Sequence, residues 1–237
     1  MSRQRSWARL ALAPVLAVVI LAGCSTIRQV TPLAKGEHRL GLGVGGPLFT
    51  NLGAPIPMPM LSVDYAYGIT DRLTAGAAVH VTPIIFNLCG MGEVFATYGL
   101  MTQSGLIPAI SVGVATLLLS DFSTSFFAFP QVNAIASWRL NSVLSLYAGA
   151  DVIVNFYPKT AGLPMDGEIA PGVPVGLLPS FPLGVQLSFG RFQLSAEARL
   201  IQPFSVSKYL IVHYVGLGGY GAVGVYASAS YLLGGSR

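Results

Sequence analysis

The chain has 237 residues, of which 53% are apolar and only 9% are charged. Soluble domains carry roughly a quarter of their residues as charged side chains, so this composition excludes an ordinary water-facing surface. The chain has 13 basic and 9 acidic residues, but Arg3, Arg5 and Arg9 precede the first apolar run. The remaining 10 basic residues barely outnumber the 9 acidic ones, which excludes a basic surface for nucleic acid.

The N-terminal region is typical of an export signal. The three arginines are followed by an apolar run, Leu10–Ala22. A run of this length suits a signal peptide and is too short to remain in a bilayer as a spanning helix.

The end of that run, Leu21–Cys24 with the sequence Leu-Ala-Gly-Cys, resembles the lipobox of bacterial lipoproteins. In that family the peptide is cut before the cysteine, whose thiol then carries a diacylglycerol. The resemblance implies removal of residues 1–23 as a signal peptide and lipidation of Cys24; the alternative is an ordinary signal peptide with a chance cysteine. The residue after Cys24 is Ser25 and not an aspartate, which fits the family's usual rule for transport to the outer membrane.

The strongest periodic stretch is Val143–Tyr157. Apolar residues occupy every second position from Leu144 to Phe156, and the intervening positions carry small or polar residues such as Asp151. A membrane-embedded chain is either helical or a closed barrel, because only these satisfy the backbone in lipid. Prolines interrupt the longer apolar runs, so the sequence predicts an all-β fold: a transmembrane antiparallel up-and-down β-barrel.

About ten strands are predicted across residues 37–237, after a periplasmic lipid-anchored tether at 24–36. They lie at Glu37–Leu48, Met60–Gly68, Leu73–Thr82, Cys89–Leu100, Leu106–Leu119, Phe127–Trp138, Val143–Tyr157, Val175–Phe189, Phe192–Ile201 and Gly216–Leu233. Long loops are predicted to alternate with short turns. The long loops are Thr50–Pro59, Pro83–Asn87, Asp121–Ser125, Pro158–Pro174 and Gln202–His213.

This pattern resembles the small outer-membrane β-barrels of Gram-negative bacteria. In such barrels the short turns face the periplasm, and an even strand number leaves both termini there. A periplasmic N-terminus is also what a lipid anchor in the inner leaflet requires. The predicted location is therefore the outer membrane, with membrane lipid around the barrel.

Charged residues occupy several positions predicted to face the lumen. They are Arg39, Asp64, Glu93, Asp151, Glu197 and Arg199. Buried charges need opposite partners, and both signs are present. The sequence predicts a charge network that holds a narrow barrel closed; the alternative interpretation is a narrow polar conduit.

No motif predicts a cofactor or a metal site. Gly216–Gly221 has the spacing G-x-G-x-x-G, but a dinucleotide site needs a helix after it, and alternating strand residues follow here. His38, His80 and His213 are isolated in the sequence, without the His or Cys spacing of a metal site.

Four loop residues could in principle form an acidic and histidine site at the outer rim, as in some outer-membrane hydrolases. They are Asp121, Asp166, Glu168 and His213. Loop charges are more often simply solvated, so no catalytic residue is predicted. We expect a non-enzymatic outer-membrane barrel lipoprotein that acts as a structural or docking component, with envelope proteins contacting its loops or turns. A narrow channel is the first alternative, and a rim-active hydrolase is the second.

Overall fold

The computed structural model describes residues 30–51, 54–86, 89–120, 122, 126–156, 164–165, 168–169, 176–206 and 214–234. The predicted signal peptide, Cys24 and the first part of the tether lie outside the described residues. Asp121, Asp166 and His213 also lie outside them, as does the side chain of Glu168.

The described chain is almost entirely β-sheet. Its elements are β1 (His38–Asn51), β2 (Ala54–Pro57), β3 (Met60–Thr70), β4 (Leu73–His80), α1 (Val81–Ile85), β5 (Gly90–Met101), β6 (Ala109–Ser120), β7 (Phe126–Arg139), β8 (Leu144–Asn155), β9 (Pro164–Met165), β10 (Glu168–Ile169), β11 (Gly176–Phe189), β12 (Phe192–Val206) and β13 (Tyr220–Leu233). No helix among these residues is long and apolar enough to cross a membrane.

Ten of the described strands form a closed antiparallel barrel in the order β1-β3-β4-β5-β6-β7-β8-β11-β12-β13. Closure comes from pairing of the first strand with the last, from His38 with Leu233 to Pro47 with Gly224. Each barrel strand otherwise pairs with the next barrel strand along the chain, so that β1 pairs with β3 and β8 with β11. The predicted all-β, up-and-down barrel of about ten strands is confirmed.

The two ends of the barrel differ in their connections. At one end, the turn end, short segments at 71–72, 102–108, 140–143 and 190–191 join β3 to β4, β5 to β6, β7 to β8 and β11 to β12. The first barrel strand, β1, begins at this end, and the last, β13, ends there. The opposite end, the loop end, carries α1, β2 and the two longest connections, 156–175 and 207–219.

Adjacent residues in the strands face opposite sides of the wall. In β8, Ala150 is exposed, whereas Asp151 is only 2% exposed. Apolar side chains dominate the outer surface, with exposed members Leu40, Leu42, Val44, Leu61, Val63, Val79, Val94, Val114, Val132, Leu146, Leu183, Val185, Leu194 and Val225. An apolar outer band opposite a partly polar interior is the arrangement that a barrel needs in lipid.

Exposed aromatic residues flank this band at both ends. At the turn end they include Tyr65, Tyr67, Tyr98, Phe189, Phe192 and Tyr231, and at the loop end Phe126, Phe156 and Phe204. Amphipathic rings favour the boundary between lipid and water. The sequence analysis did not anticipate the phenylalanines at the loop end.

The loop end departs most from the predicted boundaries. The expected loop Thr50–Pro59 contains a hairpin, in which the end of β1 pairs with β2. The expected end of the third strand and the loop Pro83–Asn87 contain α1 instead. Pro83 does not prevent this helix, because a proline in the first turn occupies a position whose N–H has no partner within the helix.

The last two barrel strands are also displaced from their predicted limits. β12 continues to Val206 through a register shift after Ile201, where Gln202 adopts a φ of 47°. The sequence predicted a loop beginning at Gln202, because the irregularity interrupts the alternation of the strand. β13 begins at Tyr220, later than the predicted Gly216.

Candidate functional site in the barrel interior

The structure places all six charged residues predicted for the lumen inside the barrel. Each is at most 9% exposed: Arg39, Asp64, Glu93, Asp151, Glu197 and Arg199. Five of them make the contacts described next, and Glu93 is buried on β5. Arg39 and Asp64 form a pair on β1 and β3, whereas Asp151, Glu197 and Arg199 form a separate cluster on β8 and β12.

The first pair is direct. Arg39 Nη2 donates a hydrogen bond of 2.7 Å to Asp64 Oδ2. Asp64 pairs in register with Gly41, and a Cβ at Gly41 would collide with the Asp64 carboxylate. Glycine at this position therefore gives the carboxylate the space in which it meets its arginine.

The second group, which we call the Arg199 cluster, consists of Tyr147, Asp151, Glu197, Arg199 and Tyr226. Arg199 donates to Glu197 Oε1 through Nη2 at 2.6 Å and through Nε at 2.9 Å. Its Nη1 lies 3.6 Å from Asp151 Oδ2. Tyr147 donates from its hydroxyl to Glu197 Oε2 at 3.0 Å, and the guanidinium lies 5.1 Å from the Tyr226 ring centroid.

This geometry favours a structural role for the Arg199 cluster. One arginine sits between two carboxylates and against an aromatic face, which compensates part of the cost of burying charge. The Tyr147 ring lies against Gly184 on β11, at a position where a Cβ would overlap the ring. The cluster therefore fills the middle of the lumen.

Toward the loop end, apolar residues form a cluster inside the barrel, beside buried polar residues that include His80, Glu93 and Gln131. Six buried residues pack into what we call the loop-end cluster: Met60, Cys89, Met91, Leu117, Leu119 and Phe129. Met58, Phe127 and Ile153 pack against them. The sequence analysis missed this cluster, because β6 is apolar on both faces near this end and its alternation carries no contrast.

The turn end is occupied by part of the predicted tether. Residues 30–37, which we call the N-terminal plug, lie in the mouth of the barrel. Val30 packs with Ile135, Tyr147 and Tyr226 from three strands, and Leu33 packs with Ala66 and Leu232. The described part of the tether is therefore not a free linker, since its apolar side chains are buried among barrel strands.

Hydrogen bonds fix the N-terminal plug in place. Ser111 Oγ donates to the Val30 carbonyl oxygen at 2.9 Å. The Leu33 N–H donates to Thr74 Oγ1 at 2.7 Å. The plug also joins the end of β3 through its backbone, from Gly36 N–H to Gly68 O at 2.8 Å and from Gly68 N–H to Glu37 O at 2.9 Å.

A cavity of about 920 Å³ lies beside the N-terminal plug at the turn end. Hydroxyl and amide side chains line much of it, including Ser111, Ser137, Ser145, Gln186, Ser188 and Gln193. Such groups hydrogen-bond water or a polar solute, and Glu37, Asp71, Arg72 and Arg139 also line the cavity. The four residues of the alternative rim hydrolase cannot be placed against one another, and that hypothesis stays a prediction.

No protein-family model and no curated protein matches this chain. Three solved structures share its barrel architecture at low identity. The translocator domain of the autotransporter NalP from Neisseria meningitidis is 11% identical at a TM-score of 0.43, over 85% of this chain and 90% of that one. The NanC porin is 10% identical at a TM-score of 0.39, over 83% and 98% of the two chains. The P. putida toluene transporter TodX is 10% identical at a TM-score of 0.38, over 86% and 91%.

Proposed function

We propose that this chain is a non-enzymatic lipoprotein of the Gram-negative outer membrane, whose closed barrel serves as a structural or docking component of the envelope. The observation that supports this proposal is the filling of the interior at three levels. The loop-end cluster, the Arg199 cluster and the N-terminal plug follow one another along the lumen. A narrow barrel filled by its own side chains offers no wide water path, so contacts with partners would be made by its loops and turns.

The position of Val30 supports lipid anchoring at the turn end. Cys24 precedes Val30 by six residues, which span at most about 20 Å when extended. A lipid on Cys24 would therefore lie close to the mouth that the plug occupies. This supports a periplasmic position for the turn end, both barrel termini and the anchor.

Conductance in planar lipid bilayers tests the closed barrel. We expect the purified mature chain to give no stable conductance steps. A matched variant removes side chains at all three levels at once. It combines Phe129→Ala in the loop-end cluster, Arg199→Ala in the Arg199 cluster, and Val30→Gly/Leu33→Gly in the N-terminal plug. Steps in this variant alone would support closure by the interior, whereas steady conductance of the wild-type chain would favour a channel.

A narrow conduit is the second candidate, and the cavity at the turn end favours it. Its hydroxyl and amide groups, together with charged side chains of both signs, would suit small polar solutes. Uptake into liposomes containing the wild-type chain, compared with the variant Ser137→Val/Ser145→Val, distinguishes the two. A solute flux that falls in the valine variant would support transport and contradict a closed scaffold.

Docking is tested through the turn that joins β5 and β6. Leu106 is 93% exposed there, and the turn is held by hydrogen bonds from Arg139 N–H to Gln103 Oε1 and from Trp138 Nε1 to the Leu106 carbonyl oxygen. A photoreactive side chain at position 106 should cross-link an envelope protein, whereas one at Val114 on the lipid face should label only lipid. Lipid labelling at both positions would argue against a partner at this turn.

A further inference from the structure

Sulfur-containing side chains concentrate at the loop end of the lumen. The structure describes four methionine side chains, and three of them, Met58, Met60 and Met91, pack in or against the loop-end cluster. Cys89, the free cysteine of the described chain, belongs to the same cluster. The fourth methionine, Met101, lies at the turn end and is 41% exposed.

The strand register brings a histidine to the same place. Val79 pairs with Gly92, so the preceding Met91 and the following His80 are neighbours on the inner face. Ser62 pairs with His80, and Met60 is the next inward residue of β3. Met60, His80 and Met91 thus stand on three adjacent strands, and each is at most 7% exposed.

Cys89 completes this set from the same side. It precedes Met91 by two residues and is 8% exposed. The four side chains therefore offer two thioether sulfurs, one thiol sulfur and one imidazole nitrogen inside the barrel. Leu117, Leu119 and Phe129 pack with Met60, Cys89 and Met91 in the same apolar cluster.

The donor types select the class of ion. Thioether and thiolate ligands favour soft ions such as Cu(I), while carboxylates favour hard ones. Among the described residues, no group of three or more His, Cys, Asp or Glu side chains is placed to hold a metal ion. His80 and Cys89 alone therefore do not suit Zn²⁺ or Ca²⁺. The thioethers of Met60 and Met91 add two further ligands, which suit a monovalent soft ion.

We propose that Met60, Met91 and Cys89, with His80 as a nitrogen donor, form a binding site for one soft monovalent metal ion of the Cu(I) and Ag(I) class. The site lies at the loop end, on the side opposite the N-terminal plug. It was not visible in the sequence, because its ligands come from three strands and form no short motif.

The state of Cys89 defines the binding step. Cys89 is a free, buried cysteine, and a thiol binds a metal ion as the thiolate, so its proton must leave. When the ion binds, the S–H bond breaks, a metal–sulfur bond forms, and the proton passes to solvent. The oxidation state of the metal and of the sulfur does not change.

Silver nitrate is the probe, because Ag(I) needs no reductant. Native mass spectrometry of the mature chain in detergent should show one silver ion per chain, and a pH indicator should report one proton released. Met60→Leu/Met91→Leu keeps the core volume and should weaken binding by at least about tenfold. Met101→Leu is the matched control and should bind silver like the wild-type chain.

Two further measurements keep the outcome decisive. With methyl-labelled methionine, silver should shift the NMR signals of Met60 and Met91 and leave that of Met101 unchanged, without any substitution. Cys89→Ala should abolish proton release, and a Cys24→Ala chain is measured alongside because an unmodified thiol there would bind silver itself. Equal silver affinity of the double leucine variant and the wild-type chain, or unmoved Met60 and Met91 signals, would overturn the proposal.

Discussion

The two halves of the barrel interior are closed by different means. At the loop end, inward side chains of the strands themselves pack into an apolar, sulfur-rich cluster. At the turn end, hydroxyl and amide groups leave a cavity of about 920 Å³, and the N-terminal plug fills the mouth beside it. The loop end can open only if strand side chains repack, whereas the turn end can open if one segment leaves.

The Arg199 cluster separates these halves, and it carries the largest expected effect. Arg199→Met leaves Glu197 and Asp151 buried without their cation, which should cost about 3–5 kcal/mol of unfolding free energy. Urea unfolding followed by gel mobility measures the loss. In the neutral variant Arg199→Met/Glu197→Gln/Asp151→Asn most of the stability should return. Equal stability of the single variant and the wild-type chain would show that Arg199 does not compensate the two buried carboxylates.

The contrast between interior and exterior gives the next largest effect. Ala150→Arg places a cation on the lipid face near the middle of β8, which should cost about 2–4 kcal/mol. The adjacent Asp151→Asn is the control and should leave the barrel assembled. Single cysteines at both positions, in a Cys89→Ala background, add a direct test: a lipid-soluble probe should label position 150, and a water-soluble maleimide should reach the buried position 151 only if the lumen is wet. A reversed preference would contradict the assigned faces.

The attachment of the N-terminal plug should respond to a smaller change. Thr74→Val removes the acceptor of the buried Leu33 N–H and should cost about 1–3 kcal/mol. Thr74→Ser retains the hydroxyl and should behave like the wild-type chain. Hydrogen exchange reports the effect locally: the Leu33 amide should exchange faster in the valine variant, while amides of the loop-end strands keep their protection. Faster exchange throughout the barrel would mean that the two halves are not independent.

The closure of the loop end is tested by the reactivity of Cys89, without a change in stability. Because burial raises the pKa of its thiol to about 11, little thiolate is present at pH 7, and maleimide should react slowly. The rate should rise roughly tenfold per pH unit toward that pKa, since the thiolate is the nucleophile. Leu106→Cys in a Cys89→Ala background should react rapidly at pH 7. Equally rapid reaction of Cys89 would indicate an open loop end.

The sequence predicted the barrel well wherever lipid and lumen impose opposite demands on adjacent residues. Ala150 and Asp151 are such a pair, and their faces follow from a period of two. Arg39 and Glu197 were predicted to be inward for the same reason. The partner of Arg39 was not predicted, because register places Asp64 beside Gly41 only once β1 and β3 are paired. Glu197 and Arg199, in contrast, lie two positions apart on one strand.

Two features were beyond the reach of the sequence for physical reasons. Leu117 and Leu119 lie in a strand with apolar residues on both faces, so the alternation that reveals the interior is absent. Val30 and Leu33 were assigned to a tether, because a segment with no period of its own acquires its place only from tertiary contacts. Those contacts lie far along the chain, as with Val30 and Ser111, which are 81 positions apart.

The position of the N-terminal plug has a consequence for the order of assembly. Its contacts with Thr74 and Ser111 become available as β4 and β6 are added, but its contact with Tyr226 must await the last strand. Contacts across such long sequence separations form late, since the entropy of closing the chain must first be overcome. The N-terminal plug precedes all the barrel strands in the chain, and yet it is among the last segments to reach its final place. The N-terminal plug makes all of its contacts only when the barrel is complete. A lipid on Cys24 would then hold this end of the barrel against the membrane.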